Sequence, residues 1–273
     1  MHWPELKKSG YEQLFPIYGE IESNSMLRIL FEDLLDKSTV LNREQCGLFH
    51  DAITRLLQFE PIQYITGNSH FMGLNLCVNK AVLIPRFETE ELVALTIKKI
   101  GSQKLKVLDI GTGSGCIALA IKKYCPNAEV WGTDISEQAL YIAEKNAGSL
   151  DLNVNFIHSD FLNRSGWNVL PNEIDILVSN PPYIGQDEKS KMDTSTLLFE
   201  PATALFAGKD PLQFYKKIVE FSKLTLHPMG KILVEINEFK SLQTLQIFET
   251  LEYKCLEVIK DIHSKDRIIY CEI

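Results

Sequence analysis

The chain has 273 residues, 45% of them hydrophobic and 23% charged, enough apolar material for one large domain or a medium domain with a small companion. A formal charge of -8 makes duplex DNA or RNA an unexpected partner, because nucleic-acid binders carry a basic face. The six cysteines form no C-x-x-C pair or zinc pattern, no apolar run is long enough to span a bilayer, and the opening MHWPELKKSG lacks the apolar core of a secretion signal; the expectation is a cytoplasmic protein with reduced thiols.

The first third reads as helical. A helix from Glu5 to about Phe15 is expected to stop near Pro16. The stretch SNSMLRILFEDLLDK places Leu27, Leu30, Phe31, Leu34 and Leu35 on one face at helical spacing. The next, NREQCGLFHDAITRLLQ, opens with Asn42 and Gln45 in a capping-box pattern and carries Leu48, Phe49, Ala52, Ile53, Leu56 and Leu57. Together these predict a small all-α domain over residues 1–61. Gly67-Asn68 and Gly73 then punctuate short strand-like runs, so residues 62–84 read as a β-hairpin linker. Thr89 is expected to cap a helix running to about Ile100.

From residue 104 the pattern alternates. LKVLDIG, AEVWGTD, NVNFIHSD, IDILVSN and GKILVEI read as strands; GCIALAIKKY, SEQALYIAEKNAG, PLQFYKKIVEFSKLTL and FKSLQTLQIFETL read as helices. YKCLEVIKD and DRIIYCEI read as a final antiparallel pair. Such alternation predicts an α/β domain over residues 85–273 with a mostly parallel sheet wrapped by helices.

Chemistry concentrates at the strand ends. VLDIGTGSGCIALA is a strand, a glycine-rich turn and a helix, in which Gly111, Gly113 and Gly115 let a ligand approach the backbone and the helix start offers free N–H groups to an anion. Asp134 ends the next strand, where a carboxylate accepts from ribose hydroxyls. A tight turn packing helix on strand is the bland alternative, but the strand context and Asp134 favour a nucleoside-type ligand. The spacing is G-x-G-x-G, with Cys116 where a dinucleotide fingerprint has its last glycine, and no Walker lysine follows. It resembles the cofactor motif of class I methyltransferases, which bind S-adenosylmethionine. Asp160 and Phe161 end the third strand and either flank an adenine or form a strand end with one buried aromatic.

DILVSNPPYIG ends a strand in Ser179, Asn180, Pro181, Pro182 and Tyr183. An amide or aromatic amine is a poor nucleophile because its lone pair is delocalised. A site that methylates one would hold both N–H bonds with acceptors and aim the lone pair at the methyl group. The Asn180 side-chain oxygen and the Pro181 carbonyl are two such acceptors, the paired prolines stiffen the loop, and Tyr183 can pack on the planar acceptor group. Asn-Pro is also a common turn signal, so the position after the fourth strand carries the reading.

With PIQYITGNSHFMGLNLCVNKAVLIPRFETEELV, FEPATALFAGKD and DRIIYCEI added to these motifs, the chain resembles, nearly end to end, the glutamine methyltransferases of peptide chain release factors. The resemblance implies a helical N-terminal domain, a hairpin linker and a Rossmann-like class I methyltransferase domain. It implies transfer of a methyl group from S-adenosylmethionine to the side-chain amide nitrogen of the glutamine in the Gly-Gly-Gln motif of class I release factors. Carried over, Gly111, Thr112, Gly113, Ser114, Gly115, Asp134, Asp160, Phe161 and Asn180 hold cofactor. Asn180, Pro181, Pro182 and Tyr183 hold the substrate glutamine, with Asn180, Pro181 and Tyr183 at the chemistry. No metal, membrane or direct DNA contact is implied, and a monomer is expected. The chain departs from the family pattern at Phe87, Phe161, Pro211, Asn237 and Lys240. Arg86 and Glu88 either help close the cofactor pocket or orient the two domains, or start a solvated helix, Glu90 reads as the last, and the segment carrying Glu200 and Pro201 reads as a lid or rim. His158 receives no role. Conjugated base amines would suit the same corner, which leaves a nucleic-acid methyltransferase as the competing enzyme reading and a non-catalytic binding protein as the third.

Overall fold

The computed structural model describes residues 2–35 and 37–273. Helix α1 (Trp3–Ile29) passes through Pro16 instead of stopping there, and its break falls at Gly19, with φ 72° and ψ -176°. Pro16 removes one hydrogen bond, but Pro16 and Glu12, the residue whose carbonyl loses its partner, are both exposed. Gly19 alone lacks the Cβ that would strain a positive φ. A five-residue π-helical turn, Leu30–Leu34, follows. Helix α2 (Arg43–Leu57) starts with the expected capping box: Asn42 Oδ1 accepts from the Gln45 N–H at 2.8 Å, and Gln45 Oε1 from the Asn42 N–H at 3.2 Å. Leu27, Leu30, Leu35, Phe49, Ala52, Ile53 and Leu56 form the core of this unit, while Leu48, expected inside, is exposed.

A short helix α3 (Ile62–Thr66) opens the linker, ahead of a hairpin of β1 (Asn68–Phe71) and β2 (Leu74–Cys77). Its turn residues Met72 and Gly73 both have positive φ, the geometry of the tight two-residue hairpin. Helix α4 (Phe87–Ile100) follows with Arg86, not Thr89, at its N-cap. Thr89 lies inside the first turn and points into the protein.

The large sheet has the order β5-β4-β3-β6-β7-β9-β8. Its strands are β3 (Lys106–Ile110), β4 (Glu129–Asp134), β5 (Asn155–His158), β6 (Ile174–Ser179), β7 (Leu226–Glu235), β8 (Cys255–Lys260) and β9 (Asp266–Glu272). The first five are parallel; β9 runs antiparallel between β7 and β8. Helices α5 (Cys116–Tyr124), α6 (Glu137–Leu150), α9 (Gln213–Thr225) and α10 (Ser241–Phe248) cover it, and two short helices, α7 (Thr194–Phe199) and α8 (Ala202–Leu205), lie between β6 and α9. Two apolar cores bury both faces, one around Val107, Ile117 and Val178, the other around Leu108, Leu177, Phe221 and Ile232. The chain leaves β3 toward β4 on one side and β6 toward β7 on the other. Ile110 pairs with Ser179 at that point, and the Ser179 hydroxyl donates to the Ile110 carbonyl at 2.6 Å. The crevice of an open α/β sheet forms there, which sets Gly111 and Asn180 side by side at its carboxyl edge.

Candidate active site

The glycine turn after β3 holds Gly111, Gly113 and Gly115 at φ of 74°, 55° and 80°, which side chains would oppose. Neighbouring groups brace it. The N–H groups of Gly111 and Thr112 both donate to the Thr133 carbonyl, at 2.8 and 2.9 Å. Asp134 Oδ2 accepts from the Gly113 N–H at 2.9 Å and its Oδ1 from the Ser136 N–H at 2.9 Å. Burial raises the Asp134 carboxyl, against the pull of these backbone donors. Behind the turn, Thr112 donates to Asp109 Oδ2 at 2.7 Å, and Asp109 Oδ1 and Ser114 Oγ lie buried without a partner among the described residues.

Above the turn is a cavity of about 300 Å³ whose walls include Gly111, Gly113, Asp134, Asp160, Phe161 and Asn180. Ile135 and Phe206 add apolar surface, and the linker residues Val82 and Leu83 help to close it. Asp134 and Asp160 offer acceptors for hydroxyl and amino groups, the helix α5 start lies behind the glycines, and the apolar surface suits a base. These residues fit an adenosine-bearing sulfonium such as S-adenosylmethionine. Thr112, Ser114 and Gly115 support the turn without lining the cavity. Phe161 presents one side only: its ring packs in the core against Trp167 and Phe221, at 5.9 and 5.3 Å, and its carbonyl accepts from Trp167 Nε1 at 2.8 Å. His158 faces the carbonyl of Ile135 at the strand edge, at 2.9 Å.

A second cavity, also about 300 Å³, lies on the other side of Asn180 and is walled by Arg86, Pro181, Tyr183, Lys191 and Met192 among others. Asn180 lines both cavities. Its Nδ2 donates to Thr89 Oγ1 at 2.9 Å, and Thr89 donates in turn to Glu235 Oε2 at 2.6 Å. The Tyr183 hydroxyl donates to the other Glu235 oxygen at 3.1 Å. Glu235 is 1% exposed at the end of β7, and burial raises its carboxyl while the Thr89 hydroxyl holds it down. Burial and the neighbouring Glu235 also raise the Tyr183 phenol. With its Nδ2 engaged, Asn180 presents Oδ1 as its acceptor, and among the described residues nothing donates to the Pro181 carbonyl.

Charged residues whose roles the sequence left open tie the rim to the linker. Arg86 bonds Glu200 Oε1, and Glu200 Oε2 accepts from the Ile84 N–H at 3.2 Å, joining the linker to the segment after the corner. Glu90 does more than start a solvated helix: it accepts from the Met72 N–H at 2.7 Å and holds the hairpin turn. Thr89 and Glu235 are the site residues that sequence reading missed. The signal for Glu235 was a lone carboxylate ending the apolar strand KILVE. Thr89 gave none, since its partners are 91 and 146 residues away.

The family model described as Methyltransferase small domain matches residues 88–210, and that described as PrmC N-terminal domain matches residues 24–67. The chain is 42% identical to the release factor glutamine methyltransferase of Bacteroides thetaiotaomicron over 258 residues, covering 92% of each chain. It is 40% identical to the release factor glutamine methyltransferase of Flavobacterium psychrophilum over 272 residues, 94% of each. Among solved structures, a methyltransferase from Pyrococcus furiosus matches with a TM-score of 0.56 at 20% identity, over 81% of this chain and 98% of that one, a likeness of fold.

Proposed function

The chain belongs to the release factor glutamine methyltransferase family, and on that premise we propose that it transfers a methyl group from S-adenosylmethionine to the side-chain amide nitrogen of the Gly-Gly-Gln glutamine in class I peptide chain release factors. The observation that carries the reading is Asn180, shared by the two cavities with its amide held in one orientation by Thr89. The first cavity takes the methyl donor and the second the glutamine side chain. S-adenosylmethionine supplies a methyl group on a positively charged sulfur. Gly111 and Gly113 of the glycine turn, Asp134, Asp160 and the cavity face of Phe161 hold the donor, the carboxylates on its hydroxyl and amino groups.

Asn180 Oδ1 and the Pro181 carbonyl accept the two N–H bonds of the substrate amide, which turns its lone pair toward the donor cavity. Pro182 stiffens the corner, and Tyr183, anchored on Glu235, packs against the amide plane. The nitrogen would take the methyl group as its bond to sulfur breaks, leaving a neutral thioether, and the N–H, made acidic by the new bond, would lose its proton to solvent; the protein's part is positioning and fixed dipoles, with no strong base required. In the same reading residues 1–61 recognise the substrate protein, residues 62–84 link, and residues 85–273 catalyse. No described helix is long and apolar enough to cross a membrane. A cytoplasmic monomer completes the proposal, and the formal charge of -8 argues against DNA contacts.

The test is mass spectrometry of a purified release factor incubated with the protein and S-adenosylmethionine. One added methyl on the Gly-Gly-Gln glutamine, absent with Asn180→Ala, is the expected result. An unmodified factor beside intact cofactor binding would shift the search to conjugated base amines.

A further inference from the structure

Two positions where the chain departs from the family pattern, Asn237 and Lys240, meet on one carboxylate. Glu188 Oε2 accepts from Asn237 Nδ2 at 2.9 Å, and Oε1 accepts from Lys240 Nζ at 2.7 Å and from the Gly185 N–H at 3.1 Å. The Lys240 and Glu188 side chains are 17% and 16% exposed, so the pair is largely shielded from water and salt. Burial alone would raise the Glu188 carboxyl; Lys240 and Asn237 hold it below the usual carboxylate range. Asn237 is itself held, its Oδ1 accepting from the Phe239 N–H at 3.0 Å.

The position of this cluster gives it a consequence. Glu188 lies in a two-turn 3-10 helix, Gln186–Lys191, that begins three residues after Tyr183 of the Asn-Pro-Pro-Tyr corner. The residues that follow, Lys191, Met192, Asp193 and Thr196, wall the second cavity. Neither that helix nor α7 has a fully buried residue, and the apolar anchor of the segment is Phe199 at its far end, packed on the cluster of Val78, Val82 and Ile84. The end nearest the corner is pinned by polar groups, through Glu188 on the loop after β7, while Glu200 at the far end bonds Arg86 and the Ile84 N–H. Two residues before Asn237 stands Glu235, which holds Thr89 and Tyr183. One loop end thus braces both the inner and the outer wall of the same cavity.

We propose that the Glu188–Asn237–Lys240 clamp is a positioning device for the protein substrate. It holds the outer wall of the acceptor cavity in register with the corner and so sets how tightly the glutamine-bearing loop is bound, without touching the reacting atoms or the donor. The inference rests on the acceptor reading of the second cavity.

The test uses the full chain and purified release factor, with Lys240→Met and Glu188→Gln, and Lys240→Arg as the conservative variant that keeps a charged donor for Glu188. Loss of the charge-assisted bond should raise KM for the release factor about tenfold, while kcat and the cofactor Kd stay within about twofold. Lys240→Arg should stay near the wild-type KM. Hydrogen–deuterium exchange without cofactor or substrate should quicken across residues 186–199 in Lys240→Met and Glu188→Gln and not in Lys240→Arg. A wild-type protein that methylates while Lys240→Met and Glu188→Gln keep its KM, or unchanged exchange in those two variants, overturns the clamp alone. A wild-type protein that leaves the glutamine unmodified overturns the acceptor reading, and this inference with it.

Discussion

A free asparagine side chain can present either end of its amide to a ligand, and Asn180 cannot. Rotation would turn Oδ1 toward Thr89 Oγ1, whose proton is already committed to Glu235, and leave two acceptors face to face. Asn180→Ala should therefore lower kcat about 10²-fold or more with cofactor affinity little changed, as for loss of one aimed polar group at a reacting centre. Equal loss of both would assign Asn180 to the cofactor or the fold. Thr89→Val keeps the volume but removes the hydroxyl, and should cut kcat about tenfold by single-turnover measurement, with Thr89→Ser restoring it. Full activity in the valine variant would show that the corner alone orients the amide. Asp134→Ala should do the reverse of Asn180→Ala and weaken cofactor binding first; unchanged affinity by calorimetry would remove Asp134 from the donor site.

Two glycines in the helical unit separate packing from propensity. A Cβ on Gly10 of α1 would lie 2.7 Å from Phe49 Cζ, 2.8 Å from Leu27 Cδ2 and 3.2 Å from Ile53 Cδ1. A Cβ on Gly47 of α2 would meet nothing within 4 Å. Alanine gains about 1 kcal/mol of helix propensity over glycine, and overpacking costs about 1–3 kcal/mol. Gly10→Ala should thus destabilise by about 1 kcal/mol and Gly47→Ala stabilise by about 0.5–1 kcal/mol, checked by urea denaturation. Elements of this kind are legible where their cause is local: the Asn42–Gln45 box, the glycine turn and the strand-end Asp134 and Asn180 all follow from neighbours in sequence. The break at Gly19 instead of Pro16 was not legible, because whether the proline is tolerated depends on the exposure of that turn in the fold. Nor was the division of labour on α4, where Thr89 reaches the site and Glu90 the hairpin turn.

Across the whole molecule buried carboxyls divide: Glu60 and Asp261 are held low by their partners, while three at the carboxyl edge of the sheet bias stability toward acid. Burial pushes the Asp109 carboxyl up to about 7 from 3.8, partly offset by the Thr112 hydroxyl, and it raises Asp134 and Glu235 in the same sense. The folded protein then binds more protons than the unfolded chain between those values, so this contribution is complete below the unfolded pKa and is lost as pH rises through 7. Asp109→Asn should flatten the fall in unfolding free energy between about pH 4 and 7, measured by urea titrations across that range. An unchanged slope would give the effect to other groups. At this scale the alternating β and α pattern announced the parallel sheet and the closing antiparallel pair, but not that β9 is inserted beside β7, a choice made by contacts distant in sequence. That insertion imposes an order of assembly. Among the described residues strand β8 has β9 as its only neighbour in the sheet, so the earlier-synthesised strand must wait for the later one before its backbone finds a partner. Its amides should be the last of the sheet to gain protection during refolding and the first to lose it when the native protein breathes.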